Sequence, residues 1–199
     1  MWRGPKTTLR ATKRLIAIAR ETCARVHVLQ ITTAEEIRFL ALHKGIASVE
    51  VTPQHLTLVA PDCYAEMGTR AQMNPLIREI SHREGLWWGL DQGAVDVIGS
   101  DHAPHTLVEK AATYPASPSG MPGVQTLLPI MLDHAAAGRL SLLRLMDLTP
   151  PRARPAVWYF RQGLHRRWQQ RRLHISGFGG QVAHFGSGNG QSVGPNAVP

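Results

Sequence analysis

Three short runs of strand composition, each divided from the next by helical sequence, restrict the folds open to this chain more than any other feature. Val26-His27-Val28-Leu29-Gln30-Ile31 is rich in β-branched residues, and Ser48-Val49-Glu50-Val51-Thr52 repeats that character. Between them Thr32-Thr33 precede Glu35-Glu36, and Ile37, Leu40 and Ala41 recur on one face up to Lys44-Gly45. A threonine N-cap with acids in the first turn and a glycine past the end are the start and stop signals of a helix. Strand, helix and strand within about 25 residues is the spacing of a βαβ unit, which implies a parallel sheet. The fold class expected is therefore α/β.

The third run, Val95 to Ile98, stops at Gly99-Ser100 and is followed at once by Asp101, His102 and His105. In parallel sheets the strand interior is apolar and reactive side chains gather at the carboxyl ends. Asp101 at such an end can ligate a metal or take a proton from bound water, and it can equally cap the next turn. Helices are expected at Lys6–Cys23, 81–92, 124–137 and 141–148, the third burying Leu127, Leu128, Met131 and Leu132. Gln54 to Ile77 reads as a long connection without elements of its own, in which Met73-Asn74-Pro75 marks a fixed turn. A Pro/Gly loop runs from Tyr114-Pro115 to Pro122-Gly123.

At 199 residues the chain can bury one real core, yet it is about a quarter short of a complete (β/α)₈ barrel. It holds no apolar run of transmembrane length, and Met1-Trp2-Arg3-Gly4-Pro5 lacks the apolar centre of a signal peptide. With only Cys23 and Cys63, both expected reduced, it reads as a soluble cytoplasmic protein. The formal charge of +8 is unevenly spread: 15 basic residues face 14 acidic ones up to Thr149, whereas 150–199 carries seven arginines and no carboxylate side chain. Such asymmetry marks either a nucleic-acid arm or sequence not selected as part of the fold. Positions 150–199 keep no period of two or 3.6, so little fixed structure is expected there.

Among the other polar positions, His27 reads as a satisfied core or rim histidine, and Gln30 near its strand's end is a poor metal donor. Glu50, among strand residues, needs a partner. Asn74 fits a turn former or a site residue, and Trp87 and Trp88 fit helix packing.

Asp101-His102-Ala103-Pro104-His105-Thr106, with Glu109-Lys110 and Pro118-Ser119-Gly120-Met121-Pro122-Gly123 behind it, resembles the carboxyl half of dihydroorotase, in the amidohydrolase superfamily. Glu50-Val51-Thr52-Pro53-Gln54-His55-Leu56, Met73-Asn74-Pro75-Leu76-Ile77-Arg78 and Gly138-Arg139-Leu140-Ser141-Leu142 are similar to that family in the same order, so the likeness covers about Lys6 to Thr149. The resemblance implies a partial, incomplete (β/α)₈ TIM-type barrel over 1–149, with 150–199 a basic tail. It implies zinc chemistry that opens or closes the dihydroorotate ring, with N-carbamoyl-aspartate as the open form. Asp101 matches the family's metal ligand and proton shuttle. His105 matches the residue that holds the substrate carboxylate, Asn74 a substrate-contacting loop residue, and Ser119 and Gly120 the loop over the ring.

The departures from that pattern are specific. The family's first-strand His-x-His pair and its bridging carboxylated Lys or Asp have no counterpart, and Gln30 stands where the family's strand ends in a ligating His. The expectation is a truncated dihydroorotase-type chain that does not retain zinc and is inactive alone, with a protein partner as a possible completion of the barrel. The rivals are a non-catalytic dihydroorotase-like structural subunit and nucleic-acid binding through the basic tail. The latter is disfavoured because that stretch has no lysine and no helical or aromatic spacing. A change of reading frame near Thr149 would account for the tail's composition.

Overall fold

The computed structural model describes residues 4–149 and two strands beyond them, Leu173–Phe178 and Gln181–Phe185. The chain divides into two compact units, 1–160 and 161–199.

In the first unit α1 (Pro5–Glu21) starts with proline in its first turn, where the missing N–H is no loss. It turns Thr12, Ile16 and Ala19 inward. Strand β1 (Val26–Val28), helix α2 (Ala34–Ala41) and strand β2 (Ala47–Val51) follow as the βαβ unit that the residue pattern predicts. Strand β3 (Val97–Ile98) completes a parallel sheet of order β1-β2-β3, with His27 opposite Ser48 and Glu50 opposite Val97. The first and third strands are shorter than the sequence runs. Main-chain bonds nevertheless extend the ladder past their ends, from Ile31 N–H to Glu50 O at 3.0 Å and from Gly99 N–H to Val51 O at 2.9 Å.

Alternation along β2 decides what each face of the sheet does. Ala47, Val49 and Val51 are buried, and with Val28, Ile37, Leu40, Leu86, Leu90, Ile98, Met131 and Leu148 they form the main core. Ser48 and Glu50 point the other way and are only half-buried. Helix α2 lies against α5 (Ile80–Asp91) closely enough that a Cβ at Gly85 would come within 2.3 Å of the Ala34 Cβ. A Cβ at Gly89 would come as near to Ile37 Cγ1. The glycines one turn apart form a flat track that brings the two helices together.

The connection from 54 to 77, expected without elements, in fact holds α3 (Pro53–Thr57), α4 (Asp62–Met67) and a 3₁₀ turn (Gly68–Ala71). Its segments are too short to display a helical period. Helix α3 is anchored by Leu56 in the main core, and α4 and the 3₁₀ turn by a small separate cluster of Cys63, Ala71, Met73, Ile77 and Met121. A further one-turn helix, α6 (Leu107–Lys110), opens with a capping box between Thr106 and Glu109. Helices α7 (Leu127–Ala136) and α8 (Leu142–Leu148) follow; of the four apolar residues expected buried in α7, only Met131 is wholly so.

The second unit contains an antiparallel pair, β4 (Leu173–Phe178) and β5 (Gln181–Phe185), with a bulge between Ser176 and Phe178. This ribbon lies within the stretch for which little fixed structure was expected. The arginine cluster at 166–172 lies outside the described residues. Among the described residues no helix is long and apolar enough to cross a membrane.

Thr33 caps α2 by accepting from the Glu36 N–H, and its hydroxyl donates at 2.8 Å to the buried Glu36 carboxylate, which Thr12 also serves. Thr33→Ala removes the cap and one donor to a buried charge. We expect urea unfolding to show about 1–2 kcal/mol of lost stability.

Candidate active site at the carboxyl ends of the strands

Parallel strands bring their carboxyl ends to one edge, and that edge collects the polar residues of this chain. Gln30, two residues past β1, and Asp101, three past β3, both adopt left-handed backbone conformations, with φ of 53° and 45°. For non-glycine residues such conformations are strained and cluster at functional sites. They turn the two side chains toward each other, and Gln30 Nε2 donates to Asp101 Oδ1 at 2.5 Å.

Glu50 lies close by on β2. Its carboxylate fills the space above Gly99, where an added Cβ would come within 2.4 Å of the carboxyl carbon. His27 supplies the partner that Glu50 needs, with Nε2 3.8 Å from Oε2, while its Nδ1 meets Ser48 Oγ at 2.7 Å. His27 is thus a rim histidine held within a polar row of His27, Ser48, Glu50, Gln30 and Asp101. Burial first, and the negative charge of Glu50 second, raise the Asp101 carboxyl above its ordinary pKa, so it keeps a proton to higher pH than a free aspartate.

The 101–106 loop is sewn to the 119–124 loop. Ala103 N–H donates to Met121 O at 3.0 Å, and His102 Nδ1 accepts from the N–H groups of Gly123 and Val124 at 3.0 and 3.2 Å. That fixes the His102 tautomer with its proton on Nε2 and makes His102 a loop anchor. His105 lies with Nε2 3.3 Å from Ser119 O. Gly120, at φ 144°, sits where a Cβ would strike Ala103 and approach His105 Nε2 to 3.2 Å.

The turn before Asn74 joins the same cluster through Gln72. Its carbonyl accepts from Gly120 N–H at 3.0 Å, and its side chain donates to Ser117 O and Ser119 Oγ at 2.7 and 3.3 Å. Asn74 itself is exposed two residues further on. Gln54, on α3, donates to Ser100 O at 3.2 Å from a buried position beside Asp101. Of the candidates read from sequence, Gln30 and Asp101 are in direct contact, and so are His105 and Ser119, with Gly120 beside them. Gln54, Gln72 and Lys110 were not singled out. Only a glutamine or lysine that contributes to burial would have betrayed them, and burial has no local sequence pattern at these positions.

Over 148 residues, 74% of this chain, the sequence is 40% identical to the dihydroorotase of Halobacterium salinarum. It is 37% identical over 146 residues to that of Lactococcus lactis. The chain is a relative of the dihydroorotases. It spans about a third of the length of these two relatives, 34% of each. No family model matches the chain. Its fold is shared with the L-hydantoinase (dihydropyrimidinase) of Arthrobacter aurescens, with a TM-score of 0.73 and 25% identity over 80% of this chain and 37% of that one. The inactive dihydroorotase-like domain of the Chaetomium thermophilum CAD-like multifunctional protein superposes with a TM-score of 0.52 at 22% identity, over 67% of this chain and 37% of that one. The α/β fold with its parallel sheet is thus consistent with part of an amidohydrolase barrel.

Dihydroorotases and hydantoinases generally depend on zinc, and the residues of this dihydroorotase relative can be tested against that requirement. A zinc site needs three or four His, Cys, Asp or Glu donors at about 2 Å. Among the described residues no three such side chains are placed to hold an ion. Asp101 Oδ1 receives an N–H from Gln30, and an amide N–H is a hydrogen donor with no lone pair to give. The described residues do not fit the metal.

Proposed function

We propose that this chain carries the substrate-holding part of a dihydroorotase-type site, directed at a cyclic amide bearing a carboxylate, and that it does not turn that substrate over by itself. In the family the pair of substrates is dihydroorotate and N-carbamoyl-aspartate. On this reading His105 holds the substrate carboxylate, Asn74 contacts the substrate from its loop, Ser119 and Gly120 close over the ring, and Asp101 faces the scissile amide. The observation that carries the proposal is the lacing of the 101–106 loop to the 119–124 loop, since preformed polar loops are what hold a small polar ligand in one pose.

The Gln30 contact gives Asp101 a neutral hydrogen-bond partner, which supports binding without hydrolysis and suits a dihydroorotase-like chain acting beside another protein. Metal analysis of the purified full chain, coupled to a ring-opening assay and a calorimetric titration with dihydroorotate, tests the reading. We expect zinc well below one ion per chain, no ring opening, and saturable binding of dihydroorotate that is weakened on the order of tenfold in His105→Ala. Stoichiometric zinc with turnover would overturn the claim of inactivity, and absence of any binding would overturn the site.

A further inference from the structure

Lys110 ends α6 and is only 5% exposed. A buried ammonium without compensation is costly, and this one is compensated entirely by main chain. Its Nζ donates to the carbonyl oxygens of Gln72 at 2.9 Å, Pro118 at 3.0 Å and Gly120 at 3.1 Å. An ammonium has three protons and no lone pair, so these three bonds exhaust it. The Lys110 carbonyl in turn accepts from the hydroxyls of Thr69 and, at 3.4 Å, Ser117. One residue therefore holds the segment leading to Asn74 with its side chain and main chain, and the segment bearing Ser119 and Gly120 in the same way.

We infer that Lys110 is a positioning residue for the ligand loops, its ammonium setting the distance between the Gln72 segment and the Ser119–Gly120 segment. The inference rests on the reading of these loops as substrate contacts. Three carbonyl dipoles aimed at one dry point repel one another unless a cation sits among them. Without it the two segments move apart or admit water. Desolvation, which lowers the Lys110 pKa, opposes the charged form, and the three carbonyls are what retain it. With every proton already committed to a main-chain carbonyl, Lys110 holds the loops and does not itself exchange protons with a ligand.

The test compares the full-length chain with Lys110→Met, which keeps the volume and loses the donors, and with Lys110→Arg, whose planar fork cannot direct three N–H groups from a single nitrogen to three carbonyls. Amide exchange is followed at Gly120, whose N–H bonds to Gln72 O, with Asp96 N–H, bonded to Val49 O in the sheet, as the internal reference. Dihydroorotate is titrated at a temperature where all chains are folded. In both variants we expect Gly120 exchange to quicken on the order of tenfold relative to Asp96, and affinity for dihydroorotate to fall by a similar factor. Unchanged Gly120 exchange overturns the inference, as does quickened exchange with unchanged affinity. Should the variants fail to fold, the wild-type Lys110 ammonium decides: a resolved, slowly exchanging NH₃⁺ resonance supports the clamp, and exchange as fast as that of surface lysines overturns it. If the wild-type chain binds no dihydroorotate, the substrate reading falls, and with it the positioning role, while Gly120 exchange still reports whether the clamp exists.

Discussion

Gly123→Ala is expected to destabilise the chain by about 3 kcal/mol and to abolish the dihydroorotate binding proposed above, because the added methyl has no space that the structure can yield. A Cβ at this position would lie 2.0 Å from the Ser100 carbonyl oxygen and 2.9 Å from its carbonyl carbon. Both are main-chain atoms directly after β3, and their neighbour is Asp101. Gly123 also donates to His102 Nδ1 and accepts from Leu127 N–H at the start of α7. The loop from β3 and the loop into α7 therefore touch backbone to backbone here, and forcing them apart moves Asp101 and the His105–Ser119 pair together. Urea unfolding measures the stability loss and calorimetry the loss of dihydroorotate binding. Gly45→Ala is the matched control: nothing lies within 4 Å of a Cβ there, and we expect a change within about 0.5 kcal/mol. Equal stability of the two variants would show that the loops do not meet as described.

Acidification is expected to remove about 3 kcal/mol of stability through His55 alone. The imidazole is 3% exposed and bridges the end of β2 to the Asn74-Pro75 turn. Pro75 O, 3.1 Å from Nε2, can only accept, so Nε2 carries the proton and Nδ1 accepts from the Thr52 hydroxyl at 2.7 Å. A second proton would have to enter on Nδ1, against that bond, within a desolvated site that also faces the positive charge of Arg78. Burial is the main reason its pKa is lowered from 6.5 to about 4. Because the folded value is depressed, the unfolded chain takes up the proton first. The stability is complete above pH 6.5, falls as the pH drops below that value, and has lost its full share by about pH 4. At 1.36 kcal/mol per unit the gap corresponds to about 3 kcal/mol. Urea unfolding from pH 7 to 4 should show a steeper decline for the wild-type chain than for His55→Gln, by that amount. Parallel declines would mean that the ring titrates normally in the fold.

Parts of this architecture are legible in short stretches of residues. The βαβ unit, a threonine cap on α2 at Thr32 or Thr33, and the strand ending ahead of Asp101 each depend on neighbours a few positions apart, where period and capping chemistry act. The expected connection from 54 to 77 shows where that legibility stops. Its short helices are held by distant partners, α3 through Leu56 in the main core and the stretch from Cys63 to Ile77 by packing with Met121, so their local pattern is too weak to announce them. Glu50 illustrates the intermediate case: its need for a partner could be foreseen, but His27 as that partner follows only from the β1–β2 register.

The sequence by itself determined the α/β class, the kinship with dihydroorotases and the identity of Asp101, His105, Ser119 and Gly120 as candidates, because strand and helix periods and ordered motifs are local properties. The tertiary structure decided what those residues do to one another. Gln30 meets Asp101 across 71 positions, and Lys110 reaches Gln72 across 38. Both contacts depend on where the parallel strands and their loops end in space, and that placement is set by packing of the helices on the sheet, which no short window of residues encodes.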